Sequence, residues 1–440
     1  MVFKEEKEVV QWVEQFGMSK GVRTLDPLRA ILAELGDLHL KLKTVHIAGT
    51  NGKGSTVTCL CHMLMAAGLR VGTFTSPYIT HFGERLSVNQ QSITTSDLIT
   101  VAQKAHQILA QYDSDRLSTF DVLTLLSFLY FTTQNVDVVI YETGIGGRLD
   151  STNVLTPLVC AITNVGNDHA EILGATQAER AMEKLGIVKP GVALFTTEED
   201  ATLLLDFKAR CQKQQAELYE PLKKAELVRV DATETVFHFD RYKNVKLNLH
   251  GAHQYKNATL ALALFDHLSA QGHFPLRKEA AYAGLKEVKF AGRFEQVSKR
   301  PFVVLDGAHN EAGMAALVDV VRQAYPHRKT RFLFGANRLK DYEAMLRLLL
   351  GVTERLICTK SVHPDSVDPA VLATAAARIF PAERVQVVSD FKQALRRIAK
   401  EDDADTLNVV CGSLYLVSEV RAYLLKESGE DDGATVNCKS

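Results

Sequence analysis

A glycine loop set between a strand and a helix constrains this chain most. Lys43-Thr44-Val45-His46-Ile47-Ala48 is β-branched and apolar and reads as a short buried strand. Gly49-Thr50-Asn51-Gly52-Lys53-Gly54-Ser55 follows, and then a helix runs from Ser55 to Ala67, with Gly68 suited to its C-cap. Strand, glycine loop with lysine, then helix is an arrangement that cradles phosphates. Glycines let backbone N–H groups approach an anion, and the helix N-terminus adds positive partial charge. Lys53 supplies a full charge to the outer phosphates, and Ser55 or Thr56 a hydroxyl for Mg²⁺. The spacing departs from the usual G-x-x-x-x-G-K-[ST] loop, because it is shorter and a glycine separates lysine from serine. A glycine turn carrying a solvated lysine is the bland alternative, and the strand and helix on either side weigh against it.

With 440 residues the chain has room for two or three domains, each with its own core. A net charge of −1 offers no basic field, so nucleic acid is not an expected partner. Seven cysteines at irregular spacings do not form a disulfide framework, and they fit a reducing, cytoplasmic setting. Cys59 and Cys61 fall on different faces of the first helix and read as small core residues. Met1 to Glu6 is acidic and amphipathic, unlike a signal peptide, and no charge-free stretch reaches membrane-spanning length.

Along the chain, residues 5–16 and 28–35 read as helices, with a loop over 17–29 between them. Arg70–Phe74 reads as a second strand. Thr75–Arg85, too irregular for either element, is a ligand loop or a surface excursion. Helices at 96–112 and 118–133 precede the strand Val136–Glu142, whose last residue stands where doubly wound sheets bind ligands. Gly144-Ile145-Gly146-Gly147-Arg148-Leu149-Asp150 lacks the third glycine of a dinucleotide fingerprint, and its glycines read as a tight turn against a ligand. The strand 158–163 leads to Asn167-Asp168-His169, so His169 matches Glu142 as a polar group past a strand end. A helix over 178–188 holds Glu183-Lys184, which alone reads as a solvated face. Residues 192–250 read as an excursion of short strands around one charged helix, and helices follow at 252–269 and 277–289. After Gly292-Arg293-Phe294-Glu295 the alternation restarts, with strands at 302–306, 330–335, 355–359, 385–388 and 407–411. Helices lie between them, at 311–324, 339–350, 368–379 and 390–400, and a last one at 413–426.

The pattern gives an α/β chain. A mononucleotide-binding P-loop domain with a mostly parallel sheet spans 1–293, and a smaller Rossmann-like α/β domain spans 294–440, with 427–440 an acidic, disordered tail. Ser76, Glu142 and His169 beside a phosphate loop make a hard-cation site. Mg²⁺ takes few protein ligands and completes its shell with phosphates, so a triphosphate is the implied substrate. Residue chemistry alone ends at an ATP- or GTP-using two-domain enzyme.

Taken together, the motifs closely resemble the folylpolyglutamate synthase and dihydrofolate synthase family of the Mur ligase superfamily. They are Gly49–Ser55, Thr75-Ser76-Pro77, Glu142 with Gly146–Asp150, Asp168-His169, Glu183-Lys184, His253-Gln254 with Asn257, Gly292–Glu295, Asp306-Gly307-Ala308-His309-Asn310 and Gly412-Ser413-Leu414-Tyr415. The resemblance implies an ATP-dependent amide ligase that joins L-glutamate to a reduced folate through an acyl phosphate. Dihydropteroate is a further acceptor to test. Carried over by motif, Thr50, Asn51, Gly52, Lys53, Gly54 and Ser55 hold the phosphates, and Asn257, Arg293, Asp306 and His309 complete the ATP site. Ser76, Glu142 and His169 hold Mg²⁺, and Lys184 is carbamylated. The resemblance makes Lys53, Lys184, His169 and Glu142 the catalytic set, and it admits a monovalent cation such as K⁺. Substrate contacts fall to Asp26, Tyr78, Phe120, Asp121, Asp150 and Ser413. Nothing suggests an obligate interface, so a monomer is expected, closing about a hinge at 291–300 whose substitution slows turnover without preventing folding.

Some positions depart from the family pattern. Phe290-Ala291 stands for tryptophan-proline, Leu185 for alanine, Phe120-Asp121 for Phe-Glu, and Glu311 for proline. None removes a catalytic group, and the third alters the pterin side. Two other readings compete. One is a Mur-type ligase acting on a cell-wall nucleotide, disfavoured because only about 43 residues precede the phosphate-loop strand. The other is a non-enzymatic nucleotide switch, which has no need of two facing polar clusters.

Overall fold

The computed structural model describes residues 2–17, 23–401, 403 and 405–428. Three sheets organise them. The first holds β1 (Thr44–Ala48), β2 (Val71–Phe74), β3 (Leu86–Val88), β4 (Gln91–Ser92), β5 (Val138–Glu142), β6 (Val159–Ile162), β7 (Leu194–Thr196) and β8 (Leu218–Tyr219), in the order β4-β3-β2-β5-β1-β6-β7-β8. Six of these strands run parallel, and β3 and β4 add an antiparallel edge. All five residues of β1 are buried, as expected for a parallel strand covered on both faces. The chain leaves β1 for β2 on one side and later returns to β6 on the other. The carboxyl end of β1 therefore opens into the crevice at a topological switch point.

One face of this sheet is covered by the helices Lys53–Ala66, Ala252–Ala270 and Lys278–Glu287, and the opposite face by Thr95–Leu109 and Thr119–Phe131. The glycine-loop helix is wrapped closely. A Cβ on Gly284 would stand 2.6 Å from the Met63 Cα, so the neighbouring helix approaches backbone to backbone. Cys59 and Cys61 are buried and reduced, as core residues.

A second, antiparallel sheet is made of β9 (Ala225–Val230), β10 (Thr235–Phe239) and β11 (Tyr242–Leu247), in the order β11-β10-β9. The excursion read from the sequence over 192–250 is thus two structures. Its first strands, β7 and β8, extend the main sheet, and only the later ones stand apart.

The third sheet holds β12 (Glu295–Lys299), β13 (Phe302–Leu305), β14 (Lys329–Phe334), β15 (Arg355–Lys360), β16 (Val385–Asp390) and β17 (Thr406–Cys411), in the order β12-β13-β17-β14-β15-β16. Helices cover both faces, giving two further cores. The segment read as a hinge over 291–300 is a strand from Glu295 onward, paired antiparallel with β13. Its residues are only half-buried, so no apolar alternation marked it in the sequence.

Other differences are local. The second helix begins at Asp26, two residues earlier than read, because Pro27 fits a first turn and does not end a loop. The helix expected at 339–350 begins at Tyr342 and leaves 336–341 as a turn. The last helix extends to Ser428, and the tail beyond it lies outside the described residues.

Candidate active site

The loop after β1 is built from backbone outward. Gly52 is left-handed, with φ 86°, and directly precedes the helix Lys53–Ala66. The segment after β6 holds the loop. The Thr50 amide donates to the Asn164 carbonyl at 2.9 Å, the Asn51 amide to Asn164 Oδ1 at 3.1 Å, and Thr163 Oγ1 to the Asn51 carbonyl at 2.6 Å. Asn164 is thus a loop-setting residue that sequence reasoning missed, although its place past a strand end was a signal. Lys53 Nζ folds back to donate to the carbonyls of Gly49 at 3.1 Å and Thr50 at 3.3 Å. The Thr56 hydroxyl is spent on the Gly52 carbonyl at 2.9 Å, which leaves Ser55 as the hydroxyl for a cation.

Glu142, the last residue of β5, is buried and lies with Oε1 3.9 Å from Lys53 Nζ. Its Oε2 accepts from the Ser76 amide at 3.2 Å. Burial raises the Glu142 carboxyl above the usual range, against the charges of Lys53, Arg293 and Arg85. The fold therefore brings together Lys53, Glu142 and Ser76.

His169 is left-handed, with φ 54°. Its ring nitrogens lie 3.9 Å from Asp168 Oδ2 and 3.7 Å from Glu171 Oε1. Burial lowers its pKa, favouring the neutral ring a metal needs. Among the described residues no group of three or more His, Cys, Asp and Glu side chains gathers to hold a metal alone. The expected set has only two such groups, so it fits Mg²⁺ with oxygens from phosphate and water, and not a closed protein cage.

Lys184 lies near the end of the helix Gln177–Leu185 and is only 2% exposed. Burial and then the charge of Lys53 pull its pKa down to about 7. The sequence placed it on a solvated face, but the glycine turn after β5 packs onto this helix. The Arg148 amide donates to the Glu183 carbonyl at 2.7 Å, and a Cβ on Gly147 would stand 2.8 Å from the Lys184 carbonyl oxygen. Beyond the tight turn expected of them, those glycines thus serve a helix contact. Glu183 faces outward to Arg148 at 2.8 Å.

From the third sheet, Asp306 is half-buried just past β13 and accepts from the Phe294 and Ala308 amides, both at 2.9 Å. Burial raises its carboxyl, opposed by Arg293. Arg293 lies over the Phe290 ring, 5.5 Å from its centroid. His309 donates from Nδ1 to the Gly307 carbonyl, 2.7 Å away, and burial holds its pKa at about 4. Contacts at the cleft cross from this sheet to the first. Asn310 Nδ2 donates to Asn51 Oδ1 at 3.2 Å, and Lys340 Nζ donates to Asp168 Oδ1 at 2.7 Å. Asn257, from the helix Ala252–Ala270, packs against Gly52 and donates to Gln254 Oε1 at 3.1 Å. Lys340 was hidden in the sequence by the helix assigned over it. Asn310 stood in a polar cluster past a strand end and could have been found.

The expected substrate residues divide. Asp121 accepts from the hydroxyls of Ser118 and Ser151, both at 2.6 Å, and Arg23 reaches the same spot through the Leu149 carbonyl at 2.9 Å. Phe120 packs beneath Gly144. Asp150 accepts from the Gly144 and Ile145 amides, at 2.8 and 3.0 Å, and from Thr152, so it holds its own loop together. Tyr78 lies under the Arg85 guanidinium, 5.1 Å from ring centroid to charge. Ser413 donates to Asn337 Oδ1 at 3.2 Å on the third sheet. Asp26 is exposed, with Arg29 3.7 Å away.

The Mur ligase middle domain family matches residues 47–265, and the Mur ligase glutamate ligase domain family matches residues 292–414. The dihydrofolate synthase/folylpolyglutamate synthase of Bacillus subtilis is 33% identical, over 96% of this chain and 100% of its own length. The chain belongs to the folylpolyglutamate synthase/dihydrofolate synthase family of Mur ligases. Members of known structure agree. The folylpolyglutamate synthase of Mycobacterium tuberculosis, complexed with ADP, superimposes with a TM-score of 0.87 at 27% identity, covering 95% of this chain and 98% of that one. A bifunctional folylpolyglutamate synthase/dihydrofolate synthase with Mn, AMPPNP and L-glutamate bound gives 0.81 at 28% identity, covering 94% and 98%. As a member of this family the chain is an ATP-dependent amide ligase.

Proposed function

We propose that this protein joins L-glutamate to the γ-carboxylate of a reduced folate, at the expense of ATP. The observation that carries the reading is convergence on one cleft. Lys53 and buried Glu142 stand 3.9 Å apart on one side, and Arg293, Asp306, His309 and Asn310 face them from the other. The folate carboxylate attacks the γ-phosphorus of ATP, the bond to the bridging oxygen breaks, and ADP leaves with an acyl phosphate formed. The neutral amine of glutamate then attacks the acyl carbon, phosphate departs, an amide remains, and one proton passes to water. A carboxylate is a poor acylating agent, so phosphorylation supplies the leaving group, and the protein mainly positions and neutralises charge.

Lys53, with the amides of Gly52–Ser55, holds the phosphates in the loop that Thr50 and Asn51 anchor to Asn164, and Asn257, Arg293, Asp306 and His309 bind ATP from the far side. Ser76, Glu142 and His169 would hold Mg²⁺, which screens the phosphate charge. The raised Glu142 carboxyl supports this, since a buried acid is best ionised beside a cation. Lys184 is the carbamylated lysine. Its pKa of about 7 supports a neutral amine that can add to carbon dioxide, and the carbamate would supply oxygens near the metal. A monovalent cation such as K⁺ is a further cofactor. Asp26, Tyr78, Phe120, Asp121, Asp150 and Ser413 line the folate and glutamate side, and the two domains divide at 293/294. The enzyme acts as a cytoplasmic monomer without nucleic acid. Among the described residues no helix is long and apolar enough to cross a membrane.

The test is ADP release with tetrahydrofolate plus glutamate, with dihydropteroate plus glutamate, and with neither. Release needing the first pair supports the reading, and release with the second as well makes the enzyme bifunctional. Release indifferent to both favours the nucleotide switch. Release that neither folate stimulates but another carboxylate does favours a different Mur-type ligase.

A further inference from the structure

The loop after β2 is tied to the third sheet at one place. Its own fold is local. The Glu84 carboxylate accepts from the Ile79 amide at 2.7 Å and from the Thr80 amide at 3.0 Å, closing the segment on itself. Upstream, the Ser76 amide donates to Glu142. Downstream, the side chain of Thr80 meets Arg421, from the helix Leu414–Ser428. Arg421 Nη1 donates to Thr80 Oγ1 at 2.7 Å across 341 residues of chain. On its other arm, Arg421 Nε lies 3.0 Å from both oxygens of Glu295. Glu295 Oε2 in turn accepts from the Gly292 amide at 2.8 Å. Apolar packing reinforces the junction. A Cβ placed on Gly292 would stand 3.2 Å from Val417 Cγ1 and 3.7 Å from two carbons of Ile79. Val417 and Arg421 are one helical turn apart and share a face. Linker, last helix and loop therefore meet at Gly292, and Arg421 is 14% exposed there.

We propose that Arg421 is a positioning residue, a two-armed clasp that fixes the loop carrying Ser76 and Tyr78 to the interdomain linker. One arm holds the linker through Glu295 and the other holds the loop through Thr80. Separation of the domains breaks the Thr80 arm first, because Thr80 lies across the boundary whereas Glu295 is in the same sheet domain as Arg421. The loop is then set toward Glu142 only when the domains are together, which couples closure to the folate side of the cleft. Only a forked guanidinium offers two donors in these fixed directions, so lysine cannot replace it. This inference rests on the reading of Tyr78 as a residue of the folate side.

Two measurements on the full chain test it. The first is amide exchange of residues 75–85 in ADP-saturated protein, for wild type, Thr80→Val, Arg421→Lys, Arg421→Ala and the double variant Thr80→Val/Arg421→Ala. Each single variant speeds exchange of the Ile79 and Thr80 amides about 10-fold, as expected for one lost charge-assisted bond. The double variant is no faster than Arg421→Ala. The second is turnover. In Thr80→Val and Arg421→Lys, kcat/KM for the folate falls about 10-fold while KM for ATP stays within about 2-fold. Thr80→Val is nearly isosteric, so it reports even if Arg421→Ala does not fold. Unchanged exchange in Thr80→Val, or single effects that multiply in the double variant, overturns the clasp. Absence of folate-dependent turnover in the wild type overturns the functional reading alone, since the exchange result needs no turnover.

Discussion

Lys340 Nζ stands 2.7 Å from Asp168 Oδ1, an ion pair between the two large sheets at the rim of the nucleotide cleft. Burial works to raise the Asp168 carboxyl, but the Lys340 bond and the charges of His169, Lys340 and His309 outweigh it and hold it at about 2. The next residue is His169, so the pair ties the third sheet to the expected metal side. Replacing Lys340 by Ala leaves a mostly buried carboxylate without its charged partner. Steady-state kinetics should show kcat/KM for the ligation lowered by roughly 10- to 100-fold. ADP affinity, measured separately, should change far less.

Lys184 sets a pH dependence with a definite sign. Its folded pKa of about 7 lies below the free value, so the amine is charged below that pH and neutral above it. Only the neutral form adds to carbon dioxide, with loss of a proton. Activity after equilibration with bicarbonate should therefore rise through pH 7, and a ¹³C-bicarbonate label should give a carbamate signal that Lys184→Arg lacks. Lys184→Ala should lose ligation by at least about 1,000-fold while still binding ATP, the loss expected when a transition-state group is removed. Near-normal turnover in that variant would exclude the role.

The packing of the glycine turn on the Lys184 helix can be read separately. A Cβ at Gly147 would lie 2.8 and 2.9 Å from the carbonyl oxygens of Lys184 and Glu183, which are backbone atoms and cannot step aside. Gly147→Ala should destabilise the fold by about 1–3 kcal/mol, as overpacking does. It should also lower activity by displacing Lys184. Thermal melting and kinetics together decide this, and an unaffected melting temperature would show that the turn has slack.

Away from the cleft, Glu419 accepts twice from the Val362 amide, at 3.0 and 3.1 Å, and burial raises its pKa to about 7. Its folded pKa exceeds its unfolded one, so its stabilising contribution is full below about 4.5 and lost as pH rises through 7. Glu419→Gln should flatten that part of the stability profile and melt higher than wild type at pH 8, by roughly 1–2 kcal/mol. Denaturant titrations at pH 5 and pH 8 measure the difference.

Much of the fold was legible because parallel strands and amphipathic helices carry their own signal. β1 is buried throughout, and the helix Glu311–Ala324 lies where its apolar spacing put it. The strand Glu295–Lys299 was not legible, since its residues are polar and its place is decided by pairing with β13. At the site, Glu142 was visible as the final residue of a strand, and the glycine loop by the strand and helix on either side of it. Lys184 was not, because a lysine on a short polar helix is buried only by a loop 35 residues away, where Arg148 meets Glu183. Lys340 and Arg421 act across the cleft, a relation between sheets that no local pattern encodes.

The central claim is that a folate carboxylate takes the γ-phosphoryl group before glutamate attacks. The direct measurement uses a folate whose γ-carboxylate carries ¹⁸O in both positions, with ATP, Mg²⁺ and unlabelled glutamate. One labelled oxygen should appear in the released phosphate for each amide formed, and the other should stay in the amide carbonyl. Phosphate free of label, released alongside a glutamylated folate, would contradict the account.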